Sequence, residues 1–423
     1  MKKLLMLGSS KAGKELIEIA INAGWYTIVT DNLSPEISIV KKFADEFWMI
    51  STSDFDVLEE KCKQENINAV ISGISTFNIH ATMELAKRLN LSCYCTPESW
   101  SYTIDKRAFK DICKSCNVPV SKDYYISENQ SKDELDKIEY PVVVKAIDQS
   151  ANRGMSYCNN SEEVLNACDF ARSVSNSKTV IIEHMLKGRE YAARYALAEG
   201  ESSLVNFGAM LAQPGYPSNV YSFTTTSTNY FEKYKKEFDP YFKNALKKMQ
   251  CNEGYAWVEL MEDTDKSLNA LEMGYRMAGD MLELQMAKVN QFNAHKWLFE
   301  VAIGVKHTKE MLPADLKALP ERIVNSYILW SKKGGLVTRI EGVDKIKELI
   351  PSVNVEERSV SIGKEVSKFQ YLLVITFDNG SYEEMLRDIQ IINDNVSIYD
   401  ENNENICIYY TDFKTLKELY ENQ

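Results

Sequence analysis

The first 96 residues alternate between short apolar runs and amphipathic stretches. The apolar runs are rich in β-forming residues and are separated by helical patterns; they are KLLML, YTIVTDN, EFWMIS, NAVISG and LSCYC. Alternation of strand and helix predicts a parallel sheet with helices on both faces. Asp31 ends the second of these strands, where such sheets bind ligands, but its side chain is equally suited to capping the turn that follows.

The pattern changes after residue 97. Residues 97–140 are mostly helical, whereas from residue 141 alternating apolar positions predict long strands: PVVVKAID, MSYC, TVIIEHM, YAARYALAEGESSLVNFGAM, YAWVELMED and SLNALEMGY. Helical patterns near 280–330 precede short strands and one more helix, which predicts a compact α+β tail. The chain is therefore expected to combine an α/β part with α+β parts.

A polar and aromatic stretch at 213–240 has no firm period. Its composition is typical of a substrate loop that leads into a helix. The aromatic candidates for the wall of a substrate pocket are Tyr216, Tyr221, Phe223, Tyr230 and Phe231. Ordinary packing beneath a loop explains the same residues equally well.

Length and composition narrow the functional classes. A chain of 423 residues is expected to form about two to four domains. Its formal net charge of -12 argues against nucleic acid as a partner, since a phosphate backbone requires a basic surface. No run approaches the roughly 18 apolar residues of a membrane span, and the apolar start ends at Gly8, too early for a signal peptide. Nine cysteines, an odd number, fit reduced thiols in a cytoplasmic protein.

The first strand leads into GSSKAGKE, residues 8–15, which matches a phosphate loop at all but its last position. Gly8, Gly13 and Lys14 have the required spacing, but Glu15 stands where a Ser or Thr hydroxyl would coordinate Mg²⁺. A carboxylate there would repel the phosphates that the loop must hold. The glycines are better explained by a tight turn and close packing, so an ATP site is expected elsewhere.

Charged residues at the ends of apolar strands are the main chemical signal. Lys145 ends PVVVK, and a partly buried lysine needs an anionic partner, for which a phosphate is suitable. The next loop contains Ser150 and Gly154 among other small residues, so its amides could close over phosphate oxygens. Glu183 ends TVIIE and Glu190 follows in KGRE; groups at such positions can accept hydrogen bonds from an adenine amino group and from ribose hydroxyls.

Two further carboxylates are expected to converge. Glu259 in AWVEL and Glu272 in NALEM lie on strands joined by a short connection, with Arg276 four residues further on. Paired carboxylates that face bound phosphates can hold Mg²⁺, which takes oxygen ligands and would neutralise charge on a transferred phosphoryl group. Each feature alone is more often a solvated edge or a charged rim, but their order and spacing together are specific.

The same segments resemble the ATP-grasp superfamily over nearly the whole chain. TIDKRAFKDICKSCNVPV and YPVVVKAID are similar to its phosphate-binding segments, which implies that Lys106 and Lys145 contact the nucleotide. IIEHMLKGREY is similar to the adenine hinge, and WVELM and LEMGYRMAGD are similar to the two metal strands. The resemblance implies further roles for Glu183, Met185 and Leu186 at the adenine, Glu190 at the ribose, Glu259 and Glu272 at Mg²⁺ or Mn²⁺, and Arg276 at the transferred phosphate.

The resemblance also implies an arrangement of domains. It predicts a nucleotide-free, Rossmann-like domain at 1–96, an ATP-grasp domain at 97–310 and a C-terminal α+β lid domain at 311–423. Within the second domain, a small ATP-lid subdomain would cover about 110–187 and a central antiparallel sheet about 188–310. The tail is most similar to that of carboxylate-amine ligases such as L-amino acid ligases, in the biotin carboxylase-like branch.

The activity implied by this resemblance is an ATP- and Mg²⁺-dependent ligation, with Lys145 and Arg276 as its catalytic residues. A carboxylate would take the γ-phosphate of ATP to form an acyl phosphate, and an amine would displace phosphate to form an amide. Amino acids are candidate substrates, and a homodimer is implied.

Three alternatives remain beside this activity. One is a carboxylase or a purine-pathway enzyme of the same superfamily. Another is a nucleotide-binding protein without turnover, suggested by Gly274, which stands where the Glu-x-Asn-x-Arg pattern of the family has its asparagine. A dinucleotide oxidoreductase is the weakest, because GSSKAGKE lacks the glycines of GxGxxG.

Overall fold

The computed structural model describes residues 1–10, 12–124, 132–147, 154–217, 220–226, 228–289, 292–357 and 360–421. An N-terminal sheet is parallel, with strand order β3-β2-β1-β4. Its strands are β1 (Lys3–Leu7), β2 (Tyr26–Thr30), β3 (Glu46–Trp48) and β4 (Ala69–Ser72), and its helices are α1 (Ala12–Asn22), α2 (Phe55–Glu65) and α3 (Thr76–Leu89). The predicted parallel sheet is confirmed.

Helices cover both faces of this sheet, as the continuous apolar strands require. Leu4 and Met6 of β1 pack into one hydrophobic cluster, whereas Leu5 and Leu7 pack into another. The prediction of a fifth strand at LSCYC is wrong. That segment leads instead into a helix that begins after Thr96, whose side chain accepts the backbone N–H of Ser99 in a capping box.

A second sheet is small and antiparallel, with strand order β5-β8-β6-β7. Two helices precede it, and one helix packs on β6. The elements of this region are α4 (Pro97–Ile104), α5 (Lys106–Ser115), β5 (Asp123–Tyr124), α6 (Lys132–Leu135), β6 (Val142–Ala146), β7 (Ser156–Cys158), α7 (Ser161–Val174) and β8 (Val180–His184). Lys145 therefore lies on an inner strand, between two others.

The largest sheet has nine strands, with order β13-β12-β9-β10-β11-β14-β19-β17 and β21 paired to β14. Its first half and the associated helices are β9 (Glu190–Ala198), β10 (Glu201–Ala212), β11 (Tyr221–Thr225), α8 (Phe231–Glu237), α9 (Asp239–Lys248), β12 (Gly254–Glu262), β13 (Leu268–Gly274), α10 (Leu282–Val289) and α11 (Ala294–Ala302). Strand β9 is central because it pairs with both β10 and β12.

The remaining strands extend the same sheet or form two small ladders, β15–β18 and β16–β20. These elements are β14 (Ile323–Ser331), β15 (Gly335–Leu336), β16 (Arg339–Glu341), α12 (Val343–Leu349), β17 (Asn354–Glu357), β18 (Glu365–Val366), β19 (Tyr371–Asn379), α13 (Tyr382–Asn395), β20 (Ser397–Tyr399), β21 (Cys407–Ile408) and α14 (Phe413–Glu421). Among the described residues, no helix is both long and apolar enough to cross a membrane.

Two predictions about the middle of the chain are wrong. The stretch at 213–240 contains the strand β11 as well as the helix α8, and several of its aromatic residues, among them Phe223 and Phe231, are core residues. The helices predicted near 280–330 end at Ala302, and Ile323–Ser331 is a fully buried strand. All nine of its residues are buried, including Asn325, Ser326 and Ser331, so it has no exposed polar face whose period would separate a strand from a helix.

Candidate functional site

A cavity of about 1120 Å³ lies between the small sheet, the nine-stranded sheet and the segment before β19. Nine residues that were predicted to bind the nucleotide, the metal ion or the transferred phosphate line it: Lys106, Lys145, Glu183, Met185, Leu186, Glu190, Glu259, Glu272 and Arg276. These residues come from α5, β6, β8, β9, β12 and β13 and from the short segments after β8 and β13, so the fold gathers positions up to 170 residues apart.

Two predicted phosphate-loop residues are not among them. Ser150 lies outside the described residues. Gly154 does not line the cavity; a Cβ atom there would meet Val174 Cγ2 at 2.5 Å, and its φ is +77°. Close packing against α7 and a left-handed backbone therefore explain this glycine.

Lys145 is held by a buried cluster of opposite charges. Its Nζ lies 2.6 Å from Glu183 Oε2, and Lys110 Nζ lies 2.6 Å from Glu183 Oε1. Lys110 also contacts Asp123 and donates to Ser121 Oγ at 3.0 Å. Burial alone would lower the pKa of Lys145, but Glu183 raises it, so this side chain is a fixed cation at the cavity wall.

The same cluster changes the expected role of Glu183. Burial would raise the pKa of its carboxyl, but Lys145 and Lys110 together lower it to about 2. Both oxygens are occupied by ammonium groups, so the carboxylate holds Lys145 in position instead of offering a free acceptor to adenine. The backbone N–H of Met185 donates to Pro141 O at 3.2 Å.

Three carboxylates crowd the opposite wall. Glu259 and Glu272 are paired across β12 and β13, and Glu190 begins the neighbouring β9. Burial, together with Glu272 and Glu190, raises the pKa of Glu259 well above its ordinary value. Burial, with Glu272, also raises the pKa of Glu190 to about 7. Lys106 Nζ reaches Glu272 Oε2 at 3.8 Å, a long contact that offsets little of this repulsion.

This crowding fits a cation bound with a nucleotide. Among the described residues, no group of three or more His, Cys, Asp or Glu side chains is arranged to hold a metal ion by itself. Glu259 and Glu272 could supply two oxygen ligands, with phosphate oxygens and water completing the shell of Mg²⁺. The donors are of the type that hard cations prefer, and they repel one another when no cation is bound.

Gly274 is explained by its neighbour across the ladder. Gly274 opposes Trp257, and a Cβ atom at 274 would lie 2.3 Å from Cε2 and Cζ2 of the indole. Contacts that short do not occur between real atoms, so the ring fills the space of a side chain at 274. Trp257 is 5% exposed, and the guanidinium of Arg276 lies over its ring at 5.0 Å from the centroid.

Part of the cavity wall is aromatic. Trp330 stacks on Tyr371 with ring centroids 4.1 Å apart, and Tyr221 O–H lies 3.2 Å from Tyr371 O–H. Tyr221 is thus the candidate wall residue that lines the cavity. Phe223 is instead stacked on Tyr410 in the core, while Tyr230 and Phe231 pack in the core on Tyr191 and Phe207 respectively.

Two buried charged residues near the cavity were not predicted from the sequence. Lys110 is one, although it lies one helical turn after Lys106 on the buried side of α5, which was a usable signal. Arg194 is the other; its Nη2 lies 2.6 Å from Asp280 Oδ2 and its Nη1 lies 2.9 Å from Asn206 Oδ1. Both Arg194 and Asp280 line the cavity.

The N-terminal candidates lie away from this cavity. Asp31 is buried, pairs with Lys41 Nζ at 2.8 Å and accepts the backbone N–H of Leu33, so it caps its turn. Lys14 lies 3.7 Å from Glu18 on the exposed side of α1. Neither is among the lining residues, which agrees with a structural role for residues 8–15.

Comparison with known proteins gives one family match. Residues 138–283 match the family model described as ATP-grasp domain. A formate-dependent phosphoribosylglycinamide formyltransferase from Prochlorococcus marinus is 28% identical over 189 residues, which are 44% of this chain and 48% of that protein. The chain thus spans about half the length of the curated relatives it matches.

Two solved structures are similar over most of their length. An L-amino acid ligase from Bacillus licheniformis superposes with a TM-score of 0.78 at 16% identity, over 95% of this chain and 99% of that chain. The biotin carboxylase domain dimer of Hydrogenobacter thermophilus 2-oxoglutarate carboxylase, solved with MgADP and bicarbonate, superposes with a TM-score of 0.76 at 15% identity, over 96% and 91%. At such identities the likeness concerns the fold.

Proposed function

The chain contains an ATP-grasp domain and has the ATP-grasp fold, and from this premise we propose that it is an ATP-dependent ligase that joins a carboxylate to an amine. The separation of charges in the cavity carries the proposal. Lys106 and Lys145 supply cations, whereas Glu259 and Glu272 supply paired carboxylates beside Arg276. A nucleotide phosphate chain with a bound cation complements both sets.

The size of the cavity supports more than one ligand. Its volume of about 1120 Å³ exceeds the roughly 300–1,000 Å³ of an ordinary small-molecule site. Its charged residues suit a nucleotide, and the aromatic side chains of Trp330 and Tyr371 in its wall can contact an apolar group. We therefore favour a carboxylate substrate with an apolar side chain, such as an amino acid.

The proposed reaction has two steps. A carboxylate oxygen attacks the γ-phosphorus of ATP, and the bond to the bridging oxygen breaks to give an acyl phosphate and ADP. A neutral amine then attacks the acyl carbon, the carbon–oxygen bond to phosphate breaks, and the nitrogen loses a proton as the amide forms. Phosphorylation thus replaces a poor leaving group by a good one.

The protein contributes positioning and charge. Lys106 and Lys145 would hold nucleotide phosphates, and Glu183 would keep Lys145 in place. Arg276 would stabilise the charge of the transferred phosphoryl group. Mg²⁺ held by Glu259 and Glu272 would supply further neutralisation of phosphate charge. Glu190, at the start of β9, is the candidate for the ribose, and Leu186 for the adenine.

A second candidate is a formyl-transferring ligase of purine synthesis. It is supported by the curated relatives, whose name states that they use formate and act on phosphoribosylglycinamide. Formate is a carboxylate without a side chain, so it would leave the aromatic residues of the cavity wall to the other substrate. The two candidates share the same reaction type and differ in the carboxylate.

Phosphate release from ATP and Mg²⁺ tests both candidates. The purified protein is assayed against pairs of amino acids, and against formate with phosphoribosylglycinamide. Release that requires two substrates is expected, and the active pair identifies the candidate. Glu272→Gln should abolish it, whereas Glu201→Gln, an exposed residue paired with Lys247 on the surface, should not. Bound ATP with no release for any pair would favour the non-catalytic alternative.

The proposal also covers the cellular compartment and the oligomeric state of the protein. All nine cysteines are free, eight of them buried, which suits a reducing compartment that also supplies ATP, the cytoplasm. The carboxylase relative is described as a dimer, and a homodimer is proposed here on that basis.

A further inference from the structure

Trp257 combines three features that together suggest a role in ligand binding. It is 5% exposed, it lines the cavity, and its indole Nε1 has no hydrogen-bond partner among the residues that the structure describes. A buried donor without a partner costs free energy, and native proteins rarely retain one without a reason. A ligand that enters the cavity would supply the missing acceptor.

Arg276 carries a second donor of this kind beside it. Its Nε is buried and, within the described part of the chain, has no partner, while its Nη1 donates to Met277 O at 2.9 Å. The guanidinium lies over the indole ring, 5.0 Å from the centroid. This stacking holds Arg276 in place, because an aromatic face attracts a guanidinium.

The indole fits because Gly274, the residue opposite Trp257, has no side chain. The ring atoms of Trp257 lie 2.3–2.6 Å from the position of a Cβ at 274, so Trp257 can adopt this position only if residue 274 has no side chain. Gly274 does not have a positive φ. Glycine is therefore required there by the lack of room for a side chain and not by the backbone conformation. Trp257 and Gly274 thus form one unit.

We propose that the indole N–H of Trp257 and the Nε–H of Arg276 bind one oxyanion of the substrates, within the site described under Proposed function. The oxyanion belongs either to the phosphoryl group or to the substrate carboxylate. Both residues line the same cavity, and a pair of N–H donors is a usual way to hold such an oxygen. Trp257 then supplies the polar contact that Gly274 cannot, and the absence of a side chain at 274 is no sign of lost activity.

Anion binding to the ADP-loaded protein tests the proposal directly. Inorganic phosphate and acetate are titrated separately by calorimetry into wild type, Trp257→Phe and Trp297→Phe, with MgADP present. Trp257→Phe keeps an aromatic ring beneath Arg276 but removes the N–H. Trp297 is the matched control, since it is also buried, lies outside the cavity and donates its N–H to Leu197 O at 3.4 Å.

Trp257→Phe is expected to weaken one of the two anions by roughly 10- to 100-fold, the range for a hydrogen bond to a charged group, and to leave ADP affinity unchanged. Loss of phosphate binding assigns the oxyanion to the phosphoryl group, and loss of acetate binding assigns it to the carboxylate. Unchanged affinity for both anions, or wild-type protein that binds ADP but neither anion, overturns the proposal. Wild-type protein that does not bind ADP contradicts the proposed function itself.

A stability cycle tests the pairing of Trp257 with Gly274 without any ligand. Gly274→Ala should lower the melting temperature by several degrees, because the new methyl group overlaps the indole. The same substitution in Trp257→Ala protein should cost much less, since the overlap is gone. Equal losses in both backgrounds would show that the ring does not occupy the space of the 274 side chain, and the proposal would fall with it.

Discussion

Lys145 Nζ lies 2.6 Å from one oxygen of Glu183, while the other oxygen of the same carboxylate contacts Lys110 Nζ at 2.6 Å. One buried carboxylate thus pairs with two lysines, and Lys145 also lines the cavity. An arriving phosphate would find a cation whose position is already determined. Such preorganisation avoids the reorganisation that a solvated lysine would need.

Removal of this shared carboxylate should weaken both the fold and nucleotide binding. We expect Glu183→Gln to lower the unfolding free energy by about 3 kcal/mol, because two buried ammonium groups lose their common partner. Urea unfolding with and without ATP measures the loss and its partial recovery by phosphate. The control is Glu139→Gln, whose pair with Lys122 is exposed on both sides. A loss no larger than that of the control would contradict the prediction.

We expect Lys110 to contribute strongly to the stability of the fold, and Lys114, one helical turn later, to contribute little. Lys110→Met leaves Glu183 short of a partner at a site where the lysine side chain is 2% exposed, so we expect a loss of about 3 kcal/mol. Lys114→Met removes a half-exposed partner of the same Asp123, at 2.5 Å, and should cost under about 1 kcal/mol. Chemical denaturation of both variants under one condition makes the comparison, and similar losses would argue against it.

Glu15 should make stability depend on pH. Burial raises the pKa of its carboxyl from about 4.5 to about 7, and Glu356 adds repulsion. Because the folded pKa is raised, the contribution of this group to stability is present below about pH 4.5 and is lost as the pH rises through 7. Glu15→Gln avoids that loss, so its stability should exceed that of wild type by about 2 kcal/mol at pH 8 and match it near pH 4.5.

Unfolding curves at several pH values check this prediction. Glu18→Gln, an exposed position three residues along the same helix, serves as control and should follow wild type. ATP-dependent phosphate release should be unchanged in Glu15→Gln, since residues 8–15 lie away from the cavity. If the unfolding free energies of all three proteins changed in parallel with pH, Glu15 would have an ordinary pKa and the prediction would be wrong.

Glu259 should show a conflict between stability and function. Burial and its neighbours Glu272 and Glu190 raise the pKa of this carboxyl, so its charge is unfavourable in the empty site. Glu259→Gln is expected to stabilise the protein by roughly 1–2 kcal/mol at pH 8 and to abolish phosphate release. Glu262→Gln on the same strand should lower the stability, because Lys266 and Tyr230 bind that carboxylate. Thermal unfolding and the release assay together decide between these outcomes.

The sequence predicted the parts of the site that depend on local pattern. Lys145 and Glu183 lie near the ends of apolar strands, and Glu259 and Glu272 flank one short connection; these patterns singled out residues that line one cavity, while their roles stay predictions. Trp257 was missed because an aromatic residue in a strand is expected to be core. Its significance depends on Gly274 across the ladder and on an indole N–H that has no partner among the described residues, neither of which periodicity reveals.

The fold was predicted less well where long-range pairing decides. Arg194 is a buried charged residue in the middle of β9, but its partner Asp280 lies 86 residues further along the chain. LSCYC has the composition of a strand, yet it forms none and leads directly into α4, which the capping box at Thr96 begins. Strand β14 was missed because a buried run without alternation has no distinctive period.

The pairing of β11 with β14 has a consequence for the evolution and engineering of this protein. Phe223 opposes Tyr327 in that ladder, so the sheet passes without interruption from the central segment into the C-terminal one. A fragment that ends before Ile323 would leave the backbone of β11 without its partner strand β14, and an unpaired strand edge invites aggregation. The C-terminal segment is therefore not an exchangeable module, and chimaeras with related proteins should be joined in loops that leave this ladder intact.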